Sequence, residues 1–385
     1  MSGKHAKSYD DEVPKALRRE QNYDGTTTRN TRKNENYGNN AKRKKNKRKG
    51  LSIFAKIVIV LLVILMAILG AGYWYIQDKL GKIQKVELNK EELGISASAE
   101  ESLSGYRNIA LFGVDSRSDN LEKGNRSDCI IIASLNNKTK EVKLISVYRD
   151  TYVQIQGHSL DKITHAYSYG SAQLALNTLN TNLDLNIKEF VTVNFDSVAE
   201  AVDELGGVTI KVETQEELRY LNSYIEETAR VTGKSNAKVA STGKQTLNGV
   251  QAVAYSRIRY TSGGDYKRTE RMRTVIEAML NKLKTKSIGE INNFANKILP
   301  LVYTNISTGD IVSLAPSLMS MKITESIGWP YETKGITLDR WYGVPVTLEE
   351  NVTKLHQEAF GETDYMPSET VKNISSQIVK KTGYK

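Results

Sequence analysis

Residues 255–273, YSRIRYTSGGDYKRTERMR, contain five arginines, at positions 257, 259, 268, 271 and 273. The chain carries a net charge of +10, but residues 1–56 already hold 16 Lys/Arg against 6 Asp/Glu. The remaining 329 residues hold 38 of each sign and are therefore neutral. Since the planar guanidinium fork pairs with two phosphate oxygens, an arginine cluster within a neutral body indicates a site for one small, doubly charged anion.

The spacing within this stretch predicts a strand followed by a helix. Arg257 and Arg259 alternate with Ile258, so in a strand both arginines would point to one side and Ile258 to the other. After the loop TSGGD, Asp265 is a predicted N-cap for a helix that starts near Tyr266. The arginines would then lie on two consecutive elements joined by a short loop.

On this predicted helix, Arg268 shares a face with apolar residues that would pack against a sheet. Arg271 lies beside it, and Arg273 falls on the outer side of the helix. Cations are unfavourable at a helix N-terminus unless an anion binds there, and such a departure from local rules indicates function. The alternative is a solvated basic helix start.

A second acid–arginine stretch is GVDSRSDNLEKGNRSD, residues 113–128, which leaves one predicted strand and returns into the next. This connection would bring Asp115 and Asp128 to the same edge of a sheet, with Arg117 and Arg126 beside them. Two carboxylates at one edge suit Mg²⁺, which usually takes one or two carboxylates together with phosphate oxygens and water. The alternative is a mixed-charge surface loop.

A third stretch is SVYRD, residues 146–150, where Arg149 and Asp150 directly follow the strand-like run VKLISVY. Ligand-binding groups of α/β sheets lie beyond the carboxyl ends of strands. Together the three stretches predict a pyrophosphate site with a divalent ion. Its candidate residues are Arg117, Arg126, Arg149, Arg257, Arg259, Arg268, Arg271, Asp115, Asp128 and Asp265.

The elements that must position these residues alternate between strands and helices. Strand-like runs occupy 108–114, 129–135, 142–148, 189–195 and 208–212, and helical patterns occupy 172–185 and 197–205. This order predicts an α/β/α layer sandwich with a central, mostly mixed sheet. The predicted catalytic domain covers 105–285, a helical C-terminal completion covers 286–366, and a polar, loosely held tail covers 367–385.

The N-terminal part predicts a membrane anchor. Residues 1–52 are polar and basic and are predicted to be disordered, whereas 53–76 contain twenty consecutive uncharged residues, enough for one transmembrane helix. The positive-inside rule places the N-terminus in the cytoplasm and the body outside the cell, after a stalk over 77–104. A cleaved signal peptide is the competing interpretation.

Composition excludes several other classes of site. One cysteine, Cys129, cannot form an intrachain disulfide, and the four histidines do not cluster in the manner of a zinc site. The chain contains neither a Walker loop nor a GxGxxG motif, so no nucleotide site is indicated. Specific nucleic-acid binding is not expected, and the basic N-terminal run suits anionic phospholipid at the inner leaflet.

Seven motifs in register resemble the LytR–CpsA–Psr family of Gram-positive envelope proteins. They are LFGVDSR (111–117), RSD (126–128), SVYRD (146–150), KITHAYSYG (162–170), VNFDSVAEAVDELGGV (193–208), GKQTLNGVQAVAYSRIR (243–259) and GDYKRTERM (264–272). Two departures stand out. Met272 occupies the position of the usual Gln, which removes one polar contact, and SVYRD replaces the family's SIPRD.

This resemblance implies an α/β/α domain whose apolar interior holds a polyprenyl-pyrophosphate lipid. It also implies transfer of a glycopolymer, such as teichoic acid or capsular polysaccharide, from undecaprenyl pyrophosphate to the 6-hydroxyl of N-acetylmuramic acid in peptidoglycan. The family's magnesium-binding aspartates correspond to Asp115 and Asp128. Its pyrophosphate-binding arginines correspond to Arg126, Arg149, Arg257, Arg259 and Arg268, with Arg117 and Arg271 nearby.

The expected catalytic groups are Asp115, Arg126, Asp128, Arg149 and Asp265. Asp265 or a metal-bound carboxylate is the candidate general base. Two other functions stay open at this point. One is a membrane-bound transcriptional attenuator, which the short N-terminal segment without a helix-turn-helix opposes. The other is a polyprenyl-pyrophosphate binder or pyrophosphatase that carries out no transfer.

Overall fold

The computed structural model describes residues 84–385 apart from 117–120, 123, 235–236, 308–309 and 311–319. The predicted disordered segment 1–52 and the predicted transmembrane helix 53–76 lie outside the described residues. Within the described ranges, no helix is both long enough and apolar enough to cross a membrane.

The centre of the fold is a mixed sheet of seven strands in the order β1-β10-β7-β2-β3-β4-β11. The pairs β1–β10, β7–β2 and β4–β11 are parallel, and the other neighbours are antiparallel. The bounds of these strands are β1 Gln84–Lys85, β2 Tyr106–Val114, β3 Ser127–Asn136, β4 Glu141–Val147, β7 Glu189–Asn194, β10 Tyr303–Thr304 and β11 Lys322–Trp329. The mixed α/β prediction and its central mixed sheet are therefore confirmed.

Three two-stranded hairpins accompany this sheet. They pair β5 Tyr152–Gln154 with β6 Leu160–Lys162, β8 Val208–Val212 with β9 Gly243–Leu247, and β12 Thr333–Thr337 with β13 Trp341–Pro345. The predicted strand over 208–212 exists as β8, but it lies outside the central sheet.

Helices cover both faces of the sheet. Their bounds are α1 Ala97–Ser102, α2 Ile163–Leu183, α3 Phe195–Glu204, α4 Gln215–Thr232, α5 Gly249–Arg257, α6 Gly264–Leu283, α7 Ile288–Ile298, α8 Leu348–Leu355 and α9 Glu369–Thr382. Helices α2, α8 and α9 share one core with sheet residues such as Phe112 and Ile132. On the opposite face, Ile276 of α6 packs against residues such as Ile131 and Leu144.

Helix α2 contains a kink that explains where the predicted helix begins. Gly170 and Ser171 depart from helical geometry, and Ser171 has a φ of 56°. A Cβ on Gly170 would lie 2.5 Å from the Cβ of Leu174, so this bend requires glycine. The predicted helix over 172–185 corresponds to the part of α2 that follows the bend.

One edge of the sheet collects the ends of five strands. Val114 at the end of β2 pairs with Ser127 at the start of β3 and with Asn194 at the end of β7. At the end of β4, Val147 pairs with Trp329, the last residue of β11. The loops that follow β2 and β4 and the loop that precedes β3 therefore meet at one place, as the sequence predicts.

The segment 84–104 is part of the domain, so the prediction of a stalk over 77–104 is wrong for these residues. β1 pairs with β10, and Leu93, Ala99 and Leu103 are all at most 3% exposed. Asn180 of α2 donates from Nδ2 to the carbonyl of Leu93. In residues 84–104 the apolar residues are widely spaced among charged ones, so composition alone does not reveal that this segment packs on the domain.

The prediction of a mostly helical completion over 286–366 is wrong, because β11, β12 and β13 lie within it. β11 is an edge strand, and its first five residues are exposed or half-buried. Edge strands carry polar residues on their open side, which removes the alternation that would reveal them in the sequence.

The predicted loose tail over 367–385 is also wrong, since α9 docks on the core. Its buried residues Val371, Ile374 and Ile378 occur at helical spacing on one face. Tyr365 and Ser368, just before the helix, donate hydrogen bonds to the carboxylate of Asp184 at the end of α2.

We expect Ile378→Ala to lower the free energy of unfolding by about 2–5 kcal/mol, because Ile378 is 1% exposed and its removal leaves a cavity. Denaturant unfolding measures this change. Gln377→Ala is the control, since Gln377 is exposed on the same helix. Equal stability of the two variants would mean that α9 does not pack on the domain in solution.

Candidate functional site

The β2–β3 connection positions both predicted metal ligands at the same edge of the sheet. The register shifts between Gly113 and Val114, so Asp128 is the extra residue of a β-bulge between Ser127 and Cys129. Bulges redirect side chains and recur beside active sites. Asp115 and Arg126 are both exposed at the adjoining strand ends, and Arg117 lies outside the described residues.

Arg149 follows β4 and contacts three carboxylates. Its Nη1 lies 2.5 Å from Asp128 Oδ1, and its Nε lies 3.3 Å from Asp150 Oδ2 and 3.5 Å from Asp265 Oδ2. Burial disfavours the charged guanidinium, but the three carboxylates outweigh burial and raise the pKa of Arg149 above its ordinary value.

The stretch 255–259 is not a strand, so that prediction is wrong. Arg257 is the last residue of α5, and the chain leaves the helix at Ile258, which is fully buried. Ile258 is buried while Arg257 and Arg259 are only half-buried, because the helix ends at Arg257 and not because a strand alternates there. The segment AVAYSR, residues 252–257, forms the last part of α5, and the alternation of three residues could not reveal that the helix extends to Arg257.

Helix α6 begins two residues earlier than predicted, at Gly264 instead of near Tyr266. Gly263 is the N-cap with a φ of 93°, and Gly264 follows with a φ of 50°, so the two glycines supply the left-handed turn of the loop. Asp265 is therefore inside the first turn and is not the cap. Its carboxylate accepts a hydrogen bond from Arg268 Nη2 at 3.0 Å.

Asp265 and Asp128 join three arginines into one cluster. Arg259 Nε lies 3.5 Å from Asp265 Oδ1, and Arg259 Nη2 lies 3.9 Å from Asp128 Oδ2. With Arg149 and Arg268, the cluster has three guanidinium groups and two carboxylates. Its formal charge is therefore +1, and these five residues come from three separate stretches of the chain.

Arg268 carries an unmet hydrogen-bond donor. Arg268 is 2% exposed, and its buried Nε has no hydrogen-bond partner among the described residues. Burial lowers the pKa of Arg268, and the neighbouring charges of Arg259 and Arg149 act in the same direction. Since a buried donor without a partner destabilises the site, this geometry favours an anion bound next to Arg268.

Two other predicted arginines already have protein partners. Arg271 is 5% exposed, and its Nε donates to Glu217 Oε1 of α4 at 2.7 Å. Arg257 donates to Glu227 Oε1 of the same helix at 3.0 Å. These pairs join α4 to the end of α5 and to α6, so the structure does not bring Arg257 and Arg271 into the cluster of Asp128 and Asp265.

Arg273 is not on an outer surface, so that prediction is wrong. Its Nη1 donates to the carbonyl of Ile327 in β11 at 3.0 Å, and burial lowers its pKa. The side of α6 that the sequence left to solvent is covered by β11, the strand that the sequence did not reveal.

An apolar cavity of about 270 Å³ adjoins the cluster. It lies between the sheet and helices α3, α6 and α7, and its lining includes Leu111, Cys129, Val193, Phe195, Met272 and Phe294. Cys129 directly follows Asp128, and Met272 lies one helical turn after Arg268. Burial raises the pKa of the Cys129 thiol to about 12, so the thiol is protonated at neutral pH and behaves as an apolar wall.

Met272 and Tyr148, the two departures from the family pattern, both lie beside the cluster or the cavity. Met272 is 6% exposed and lines the cavity, whereas Tyr148 lies edge-to-face against Tyr266 with the ring centroids 4.3 Å apart.

Lys162 is a site residue that sequence reasoning missed, and its Nζ lies 2.7 Å from Asp150 Oδ1. Its motif KITHAYSYG matched the family, which was the available signal.

The ion pair with Lys162 keeps the carboxyl group of Asp150 ionised. Burial raises the pKa of this carboxyl, but the hydrogen bond from Lys162 and the charge of Arg149 outweigh burial, and the pKa lies below its usual value. Asp150 therefore contacts Arg149 at Nε, whereas Asp128 contacts it at Nη1.

In the part of the chain that the structure describes, no group of three or more His, Cys, Asp or Glu side chains could hold a metal ion. The predicted site uses only Asp115 and Asp128, so this observation does not test it. Two carboxylates at adjoining strand ends match the donor set that Mg²⁺ takes when phosphate oxygens and water complete its shell.

Comparison with known proteins decides the family. The model of the LytR–CpsA–Psr family matches residues 73–356. The chain belongs to this family. TagT of Bacillus subtilis, named a polyisoprenyl-teichoic acid–peptidoglycan teichoic acid transferase, is 31% identical over 303 residues, covering 76% of this chain and 91% of TagT. TagU of Enterococcus faecalis, with the same activity in its name, is 29% identical and covers 80% of this chain and 97% of TagU.

Two solved structures share the fold of this chain. The crystal structure of TagV from Bacillus subtilis is 26% identical with a TM-score of 0.53, covering 68% of this chain and 98% of TagV. A protein from Streptococcus agalactiae gives 26% identity and a TM-score of 0.54, covering 71% of this chain and 92% of that protein. The family assigned from the sequence match and the fold shared with these structures are therefore consistent with each other.

Proposed function

We propose that this protein is a glycopolymer transferase that moves a glycopolymer from a polyprenyl-pyrophosphate carrier to peptidoglycan. The observation that carries the proposal is the juxtaposition of the arginine cluster with the apolar cavity. Arg149, Arg259 and Arg268 suit a pyrophosphate, and the cavity wall from Cys129 to Met272 suits the adjoining hydrocarbon. Both similar proteins, TagT and TagU, carry teichoic acid transfer in their names.

The proposed reaction exchanges one phosphorus–oxygen bond for another. The 6-hydroxyl oxygen of N-acetylmuramic acid attacks the phosphorus that bears the glycan, and the bond from that phosphorus to the lipid phosphate breaks. The products are a glycan–peptidoglycan phosphodiester and undecaprenyl phosphate, and the hydroxyl proton passes to a base or to water. The polymer is proposed to be teichoic acid or another wall polysaccharide.

The residues of the chain would act mainly through position and charge. Arg149, Arg259 and Arg268 would bind the pyrophosphate oxygens and stabilise the negative charge that builds on them as the lipid phosphate leaves. Asp265 contacts all three arginines, so its carboxylate aligns them. Asp115 and Asp128 would hold Mg²⁺, which when bound neutralises phosphate charge.

The test is a transfer assay with the full chain purified in detergent. Undecaprenyl-pyrophosphate-linked glycan and a peptidoglycan oligomer are supplied with Mg²⁺, and products are separated by mass. The expected result is a covalent glycan–peptidoglycan product with release of undecaprenyl phosphate. Release of undecaprenyl phosphate without a covalent product would instead identify a pyrophosphatase and contradict the transferase.

The proposed location is the cell membrane, with a single span, a cytoplasmic N-terminus and an extracellular catalytic domain. The charge pattern of residues 1–76 supports this topology. Protease added to intact protoplasts is expected to degrade the part of the chain beyond residue 78 and to spare the N-terminal segment. A protected domain would contradict the proposed topology.

A further inference from the structure

A second concave surface adjoins the arginine cluster on the side away from the apolar cavity. This tyrosine groove has a volume of about 690 Å³, and its lining includes Tyr148, Tyr266, Tyr331, Glu332, Thr333 and Lys334. Unlike the cavity, it mixes aromatic rings with charged and hydroxyl groups. Tyr266 is 43% exposed, so its ring is available to a ligand.

The tyrosine groove is built on residues adjacent to the cluster. Tyr148 directly precedes Arg149, and Tyr266 directly follows Asp265. The Tyr148 hydroxyl passes so close to Gly328 of β11 that a Cβ there would lie 2.0 Å from it. Tyr266 is fixed by a hydrogen bond of 2.6 Å between its hydroxyl and Thr333 Oγ1. The groove is thus a preformed surface.

Helix α6 separates the tyrosine groove from the apolar cavity. Its residues Met272 and Val275 line the cavity. Its other side contacts β11, through Arg273 Nη1 to the carbonyl of Ile327 and through Ser326 Oγ to Glu277 Oε1. Tyr266 and Thr333 extend this second side towards the β12–β13 hairpin. The two surfaces therefore approach the cluster from different directions.

The direction matters because phosphoryl transfer proceeds with the attacking and leaving oxygens roughly in line. If the lipid phosphate leaves towards the apolar cavity, the attacking hydroxyl must come from the opposite side. The tyrosine groove lies on the β11 side of α6, and the apolar cavity lies on the other side of this helix, so the groove is the surface available to the attacking hydroxyl. A sugar ring combines apolar faces with hydroxyl groups, which matches an exposed tyrosine ring flanked by Glu332 and Lys334.

We infer that the tyrosine groove binds the acceptor glycan strand of peptidoglycan, with a sugar ring against Tyr266. This inference rests on the proposed transferase function and assigns the position of its acceptor. It makes Tyr266 a residue that determines acceptor affinity and leaves lipid binding to the arginines and the cavity.

A second aromatic surface, around Tyr260, borders the apolar cavity and is therefore not the surface proposed to bind the acceptor. Tyr260 is 70% exposed, and its ring lies 6.3 Å from that of Tyr224. The guanidinium of Arg257 lies over both Tyr224 and Phe195, and Phe195 lines the apolar cavity. This surface therefore borders the lipid side of the cluster.

The test measures binding of a soluble peptidoglycan oligomer, with no transfer required, to the full chain in detergent by NMR titration. Tyr266→Ala is expected to weaken oligomer binding about tenfold and to leave the affinity for a polyprenyl pyrophosphate within about twofold. Tyr266→Phe, which keeps the ring and loses the bond to Thr333, should retain most of the affinity. Leu338→Ala, an exposed apolar residue of the same hairpin, is the matched control.

Three results would overturn the inference: oligomer binding by Tyr266→Ala equal to that of Leu338→Ala, equal losses of oligomer and lipid affinity, or a loss in Tyr260→Ala alone. The proposed function fails separately. Oligomer binding that depends on Tyr266 in a chain that transfers nothing would support the groove and contradict the transferase. Transfer with oligomer binding independent of Tyr266 would contradict only the groove.

Discussion

Arg268→Lys is expected to weaken binding of a polyprenyl pyrophosphate by roughly ten- to a hundredfold. Lysine keeps the positive charge but loses the two-pronged contact with phosphate oxygens, and one charge-assisted hydrogen bond is worth about 1.5–3 kcal/mol. The effect should be large at this position because Arg268 is 2% exposed and its Nε has no protein partner. Calorimetric titration with the lipid measures the change.

The control for this prediction is Arg230→Lys. Arg230 is exposed in the last turn of α4, so the substitution should leave lipid affinity unchanged. Arg273 is unsuitable as a control because it donates to the carbonyl of Ile327. Equal lipid affinities of the Arg268 and Arg230 variants, both with the thermal stability of the unaltered chain, would refute the pyrophosphate site.

Lysine substitutions at two other arginines of residues 255–273 should change different properties of the protein, lipid binding in one case and thermal stability in the other. Arg259→Lys should weaken lipid binding without loss of stability, because Arg259 is partly exposed within the cluster. Arg271→Lys should mainly lower thermal stability, because Arg271 is buried against Glu217 and the carbonyl of Ile258. This separation distinguishes direct contact with the anion from support of the loop that carries Arg259.

Asp115→Ala and Asp128→Ala are each expected to abolish Mg²⁺-dependent transfer while the fold survives. Removal of one carboxylate leaves a two-carboxylate magnesium site with too few protein ligands to hold the ion at limiting concentrations. Transfer rates measured over a range of Mg²⁺ concentrations, with chelator as the zero point, provide the test.

Asp115 is the cleaner position for the metal test. Its side chain is exposed, whereas Asp128 also pairs with Arg149 at 2.5 Å. Loss of activity in Asp128→Ala could therefore come from a displaced arginine, and loss in Asp115→Ala could not. Asp364→Asn, an exposed carboxylate in the α8–α9 connection, is the control. Unaltered transfer by Asp115→Ala at limiting Mg²⁺ would remove Asp115 from the metal site.

The sequence by itself determined the inner strands and the chemistry of their ends. β2, β3, β4 and β7 are runs of β-branched and aromatic residues, and that composition suits a sheet covered on both faces. Because these runs fix where the loops start, the sequence also placed Asp115, Asp128 and Arg149 at one edge of the sheet. Both results depend on local pattern and on short connections.

Only the tertiary structure decided which arginines meet. Arg257 and Arg271 have the same chemistry as Arg259 and Arg268, but they pair with Glu227 and Glu217 of α4. The Arg271 partner lies 54 residues earlier in the chain, and no spacing rule predicts a contact across that separation. The packing of α4 against α5 and α6 thus separates arginines that hold the fold from arginines that remain for an anion.

The same reason accounts for the elements that the sequence missed. β11 covers one side of α6 and α9 covers part of the opposite face of the domain, yet both are polar over much of their length. An edge strand and a peripheral helix need only a few apolar residues on one side, so their identity depends on the surface they contact. That surface exists only after the central sheet has formed.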